Sequence, residues 1–324
     1  MSTSEVPTRV AIHRPAASPA PLPAAAVGIV PIVWNNADLP AAAPFVPASE
    51  VLDEIERLGY EGTQLGIGFP RGKELARELA ARHLRLAEVY ASIPCGRDGP
   101  TSGGLRVGRD RLAELHAAGG EVLVIALERS AERDPWAGRA AGAPGLAEGG
   151  WTSLGDLLNT LGEDAARLGH RIAFHNHVAT YVETPDELDR LVDAADPGLV
   201  GLCLDVGHAI VGGGDPVELL DRYGDRVIHV HLKDVAPGPL AALQAGELDG
   251  FLPALQARLF TPLGGGVLAL PAVLSALAAR GYEGWLMVEQ DTTWEPPSEA
   301  AAVGRRVLDA TLRWAVAPQR LELA

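Results

Sequence analysis

The chain has 324 residues, 47% of them hydrophobic and 21% charged, with a formal net charge of -15. That length and apolar content allow a full buried core, while the acidic balance repels phosphate backbones and sets a nucleic-acid role aside. No apolar stretch approaches the roughly 20 residues of a membrane span, and the widely separated Cys95 and Cys203 offer neither a disulfide framework nor CxxC spacing, so reduced thiols in a cytoplasmic protein are the default.

Residues 1–26 are rich in Ala, Pro and Ser and lack the continuous apolar segment of a secretory signal; they read as a disordered lead-in. From Val27 the punctuation becomes regular. A strand over 27–34 precedes a helix over 48–58, with Val51, Leu52, Ile55 and Leu58 on one face and Gly59 closing it. Strands over 61–66 and 85–93 alternate with helices over 73–82 and 109–118. The strand at 121–127 is nearly all apolar, as expected of one buried on both faces. Residues 128–150 carry Gly, Pro and charge and read as a loop insertion before a helix over 153–168.

The alternation continues. A strand over 171–177 precedes a helix over 185–194, with Thr184 as N-cap and Pro185 at its first turn. A strand over 199–205 precedes a helix over 216–223 capped by Asp215, and a strand over 226–233 leads into a long, turn-rich connection over 235–266, the length of a lid. A helix over 271–279, a strand over 284–290 and a helix over 298–315 complete the series. Eight strands alternating with eight helices predict an α/β fold, a single-domain (β/α)8 TIM barrel over 27–318. A doubly wound open sheet is the alternative, but Val33-Trp34-Asn35-Asn36 after the first strand is nothing like a phosphate-binding glycine loop.

The chemistry sits where these strands end. They read Phe174-His175-Asn176-His177, Leu204-Asp205-Val206-Gly207-His208, His229-Val230-His231-Leu232-Lys233-Asp234 and Val288-Glu289-Gln290-Asp291. Strand side chains alternate faces, so His175 and His177 share one, as do His229, His231 and Lys233. One strand histidine is usually a satisfied core residue. Five near the ends of neighbouring strands are not, because an apolar interior cannot partner so many rings. Asp205 and Glu289 end apolar strands, where an unpaired carboxylate is costly; Asp205 could alternatively cap a helix. Carboxylates with imidazole make a mixed O/N site suited to Mn, Co, Fe or Zn with open positions. Lys233 is one of only two lysines, with Lys73, and serves either the substrate or a rim salt bridge to Asp234. Asn35, Gln64 and Glu88, near the ends of the first three strands, are candidates to hydrogen-bond a polyhydroxylated ligand, and Trp34 a candidate apolar wall.

These residues make the chain resemble the xylose isomerase-like (sugar phosphate isomerase/epimerase) barrel superfamily, and within it the inosose (2-keto-myo-inositol) dehydratase group. The similarity runs from about 27 to 308. The motifs quoted above carry it, together with Gly28-Ile29-Val30-Pro31-Ile32-Val33-Trp34-Asn35-Asn36 and Gly281-Tyr282-Glu283-Gly284-Trp285. The resemblance implies a divalent metal, Mn or Co, held by four strand-end ligands, with Asp205, His231 and Glu289 at the matching aspartate, histidine and last glutamate. Most members end strand five in a glutamate. Here that position is His175, in keeping with the dehydratase branch, so either His175 ligates or a water takes the place. His177 and His208 match substrate-contacting positions. Residues 262–267 lack the acidic residues that relatives carry in and after their glycines.

The implied function is a metal-dependent lyase that dehydrates a cyclic polyol ketone through an enolate, with His208 or Glu289 as base and Lys233 or His177 as acid. Reprotonating that enolate would instead make a keto-sugar isomerase or epimerase, although the absent strand-five glutamate argues against it. Phosphodiester cleavage in abasic DNA conflicts with the charge, and a non-catalytic sugar-binding barrel is the remaining reading. The expected partner is a small polyol or keto-sugar, with neither nucleic acid nor membrane; a homodimer or homotetramer is compatible with the chain.

Overall fold

The computed structural model describes residues 22, 24–39, 44–140, 142–291 and 294–316, with side chains as far as 313. The lead-in expected over 1–26 falls almost wholly outside them. Among the described residues, eight strands close into a barrel: β1 (Ala26–Ile29), β2 (Gly62–Gln64), β3 (Arg85–Ile93), β4 (Val122–Leu127), β5 (Arg171–His175), β6 (Val200–Asp205), β7 (Val227–Leu232) and β8 (Trp285–Val288). Neighbours are parallel throughout, and β1 closes the sheet against β8. The predicted barrel is the observed one.

The outer helices include α1 (Ala48–Arg57), α2 (Gly72–Ala81), α3 (Gly104–Ala118), α4 (Glu148–Arg167) and α5 (Pro185–Ala194). Each buries an apolar stripe on the sheet, as Val51, Leu52 and Ile55 do for α1. The predicted cap of α5 forms a full capping box: the Glu187 N–H donates to Thr184 Oγ1 while the Glu187 carboxylate accepts from the Thr184 N–H. Helices α3 and α4 begin several residues before the positions read from sequence, because Gly104, Gly108 and Gly150 blur the helical pattern. The first strand is shorter than 27–34; Pro31 turns the chain into a 3-10 turn (Pro31–Val33).

Beyond β6 the helices are α6 (Val206–Val211), α7 (Pro216–Tyr223), α8 (Pro237–Ala245), α9 (Phe251–Gln256), α10 (Leu270–Ala279) and α11 (Pro297–Val316). Asp215 caps α7 as predicted. The connection over 235–266 is not turn-rich. It folds as α8 and α9, and Asp234–Val235 pairs antiparallel with Phe260–Thr261. Pro237, Gly238, Pro239 and Pro253 hide these helices in the sequence, although proline in a first turn is compatible with one. The segment has its own apolar cluster, with Leu243, Phe251, Ala254, Leu255, Leu259 and Phe260 packed on Val178, Ala179 and Val211. It is a packed cap beside the barrel mouth.

Candidate metal centre

Register gathers the chemistry at the barrel mouth. Asp205 pairs with His231, and His231 lies beside Met287, so Glu289 stands one inward-facing step higher on the same side of β8. His175, ending β5, completes the group. Single ligand atoms of His175, Asp205, His231 and Glu289 all lie within 4.8 Å of one another. Asp205 Oδ2 is 3.4 Å from His175 Nε2 and 3.9 Å from His231 Nδ1, and His231 Nδ1 is 2.6 Å from Glu289 Oε2.

Local structure fixes these groups. Asp205 does two jobs: Oδ1 accepts from the His208 N–H at 2.7 Å and caps α6, leaving Oδ2 for the site. Asn176 clamps the Asp205 backbone, its amide donating to the carbonyl and its oxygen accepting from the N–H, both at 3.1 Å. Asp205 Oδ2, His231 Nδ1 and Glu289 Oε2 are buried without any hydrogen-bond partner. Buried polar atoms left without a hydrogen bond cost about 1–3 kcal/mol each, and two carboxylate oxygens and an imidazole nitrogen turned to one point suit a cation. The charges agree. Asp205, Glu289 and Asp291 surround one ammonium, Lys233 Nζ, at 3.5, 3.0 and 2.5 Å, so carboxylates outnumber the lysine they share. The donors therefore fit a divalent ion with open positions.

The same crowding moves the titrations of the ion-free site. Burial alone would lower the His231 imidazole, but Cys203, Glu88 and Glu289 hold it well above the usual histidine range. Burial pushes Asp291 up to about 7; Lys233 opposes this, and Glu289 and Asp205 add to it. Lys233 is raised, since the carboxylates of Asp205, Asp291 and Glu289 overcome the cost of burying it. His177 falls to about 3, first through burial and then through repulsion from His175 and Lys233.

A cavity of about 500 Å3 opens above the donors, lined by His175, His177, His231, Glu289 and Asp291 on one side and by Gln64, Tyr90, Ser92, Glu128, Arg129 and Asp38 on the other. His177 sits on this wall, with its ring Nδ1 2.7 Å from the Val178 carbonyl. A carbonyl only accepts, so Nδ1 carries the proton and Nε2 the lone pair. Gln64 lines the wall. His208 does not line it: it is wholly buried behind Lys233, whose ammonium donates to His208 Nε2 at 3.0 Å. Lys233 is buried too, over the Phe260 ring at 4.7 Å, and is not a rim residue. Asp234 instead accepts four N–H groups, from Val235, Gly264, Gly266 and Leu268, and pins the glycine turn.

Three other candidates lie elsewhere than the ligand surface. The Asn35 side chain is spent on both backbone groups of Val46, at 2.8 and 2.9 Å. Trp34 is packed in the core and donates from Nε1 to Ser298 Oγ at 3.3 Å. Glu88 is fully buried inside the barrel, and its carboxylate accepts from His231 Nε2 at 2.9 Å. Sequence reading passed over Tyr90, Ser92, Asp291 and Arg129. The β3 alternation Glu88, Tyr90, Ser92 in an otherwise apolar strand was the available signal for the first two.

A closed parallel barrel with histidine and carboxylate side chains gathered at its C-terminal rim defines a TIM-barrel protein with a candidate metal site. The chain belongs to the xylose isomerase-like TIM barrel family, whose model matches residues 52–311. It is 33% identical over 300 residues to an inosose dehydratase of Lacticaseibacillus casei, covering 88% of this chain and 97% of that protein. Its fold matches an L-ribulose 3-epimerase, with TM-score 0.67, 17% identity and coverage of 91% of this chain and 99% of that one. It also matches an IOLI protein with a zinc atom, with TM-score 0.66, 17% identity and coverage of 89% and 98%.

Proposed function

We propose that the protein is a metal-dependent hydro-lyase that dehydrates inosose (2-keto-myo-inositol). The observation that carries this reading is the convergence of His175, Asp205, His231 and Glu289 under one polar cavity, in a chain similar over nearly its whole length to inosose dehydratases. A divalent ion held by these four side chains, with Mn or Co suiting the mixed N/O set, would polarise a substrate ketone and acidify the neighbouring C–H.

The chain's own residues supply the proton transfers. Dehydration removes one proton from carbon and delivers one to the departing hydroxyl. His177 lines the cavity with its Nδ1 proton held by the Val178 carbonyl, so its Nε2 lone pair serves as the base. Asp291 lies on the wall, titrates near neutrality and is backed by the Lys233 ammonium, so it serves as the acid. This moves the base away from His208, which is buried behind Lys233 and does not line the cavity. The wall also suits an uncharged polyol. Its guanidinium, Arg129, is tied to Asp38 at 2.6 Å, and Glu128, Glu289 and Asp291 repel an anion. The free thiols of Cys95 and Cys203 accord with the cytoplasm as its location, and no described helix is long and apolar enough to cross a membrane.

The test is proton NMR of Mn- or Co-loaded protein with 2-keto-myo-inositol in deuterated water. Loss of a hydroxyl with growth of a cyclic diketone is the expected result, abolished by EDTA. Deuterium entering the α-carbon without loss of water would make the protein an epimerase or isomerase instead.

A further inference from the structure

The Glu88 carboxylate occupies a place that packing does not call for. Strand β3 lies opposite β7 in the barrel, so Glu88 reaches across the lumen to meet β7 from inside. It is 0% exposed, and its Oε2 contacts both His229 Nε2 and His231 Nε2. An ionised carboxylate in such a lumen costs several kcal/mol unless its partners repay it, and apolar side chains would fill the space without that cost.

We infer that Glu88 is a positioning residue that fixes the tautomer of His231. This rests on reading Asp205, His231 and Glu289 as the metal site. A carboxylate only accepts, so the 2.9 Å contact holds a proton on His231 Nε2; when a cation enters, the proton that leaves the ring is the one on Nδ1, which faces Asp205 and Glu289. Without Glu88 the preference reverses. Glu289 Oε2 lies 2.6 Å from Nδ1 and would accept from a proton held there, removing the lone pair from the site. Glu88 is thus a counterweight to Glu289, and His229, two residues back on the same strand, braces it from below. Outer carboxylates that orient a metal-binding histidine typically change metal affinity by 10–100-fold.

The test titrates Mn(II) into the metal-free wild type, Glu88→Gln and Glu88→Leu, and reads the His231 ring nitrogens by 15N NMR. Glu88→Leu should bind Mn(II) 10–100-fold more weakly, with Nε2 deprotonated and the ring proton held on Nδ1 by Glu289. Glu88→Gln keeps the shape and one acceptor oxygen; it should lose less affinity, and it carries the test if the leucine variant fails to fold. Variants that bind as wild type does, with Nε2 still protonated, would overturn the inference. A wild type that binds no divalent ion would instead overturn the metal-site reading on which it rests.

Discussion

Strands β5 to β8 end in His175, Asp205, His231 and Glu289, whereas the residues that β2 to β4 bring to the mouth are Gln64, Tyr90, Ser92, Glu128 and Arg129. One half of the rim crowds charge around a single point. The other half is a polar wall, and its buried carboxylate, Glu88, faces the first half from within. On the proposed function, the contrast separates two tasks in one closed sheet: activating a substrate, and shaping the space it enters. It also separates what each half can lose. Donors that share one charge act as a unit, while wall residues contribute singly.

The largest expected effect lies in the ionic half. Glu289→Gln removes a bare acceptor and one of the carboxylates around Lys233, so kcat/KM should fall by at least about 10^3-fold. Gln64→Ala on the wall should cost about 10-fold, largely in KM. If steady-state kinetics gave the two variants equal losses, the division between halves would collapse.

A smaller effect concerns acid stability. His177 is held near 3 when folded against about 6.5 unfolded, so between those values the unfolded chain binds the extra proton. Its contribution is therefore complete above pH 6.5 and is lost as the pH falls toward 3, on the order of 5 kcal/mol. Urea melts of the metal-free protein should show this slope, and His177→Asn should flatten it; an unchanged slope would mean that His177 is not held neutral. The smallest effect belongs to the loop clamp. Asn35→Ala should lower stability by about 1–2 kcal/mol through the lost Val46 contacts, with kcat/KM changed no more than a few-fold.

The same contrast explains what was legible in the sequence. Asp205 and Glu289 stood out because a carboxylate ending an apolar strand needs a partner, and paired histidines at spacing two had to share a face. The barrel followed from strand–helix alternation, marked by caps such as Thr184 and Asp215. The neutral half was harder to read. Asn35 is as polar as Gln64, yet it sits past the end of β1, where a loop backbone claims it. Glu88 was recognised as a site residue but given the wrong neighbour. Residue order along β3 indicates which face it takes, and its depth in the lumen depends on the register between distant strands. The cap over 235–266 was missed because prolines at helix starts look like turns when the packing partners, Val178, Ala179 and Val211, are not in view.

The most direct measurement is a Co(II) titration of metal-free protein, followed by visible absorption, in the wild type and in Asp205→Asn. The asparagine keeps an oxygen for the α6 cap while removing the charge from the site. The account predicts a ligand-field spectrum that saturates at one equivalent in the wild type and is weakened at least about 100-fold in affinity in the variant. A wild type without that spectrum, or a variant that matches it, would contradict the assignment of this rim as a metal centre.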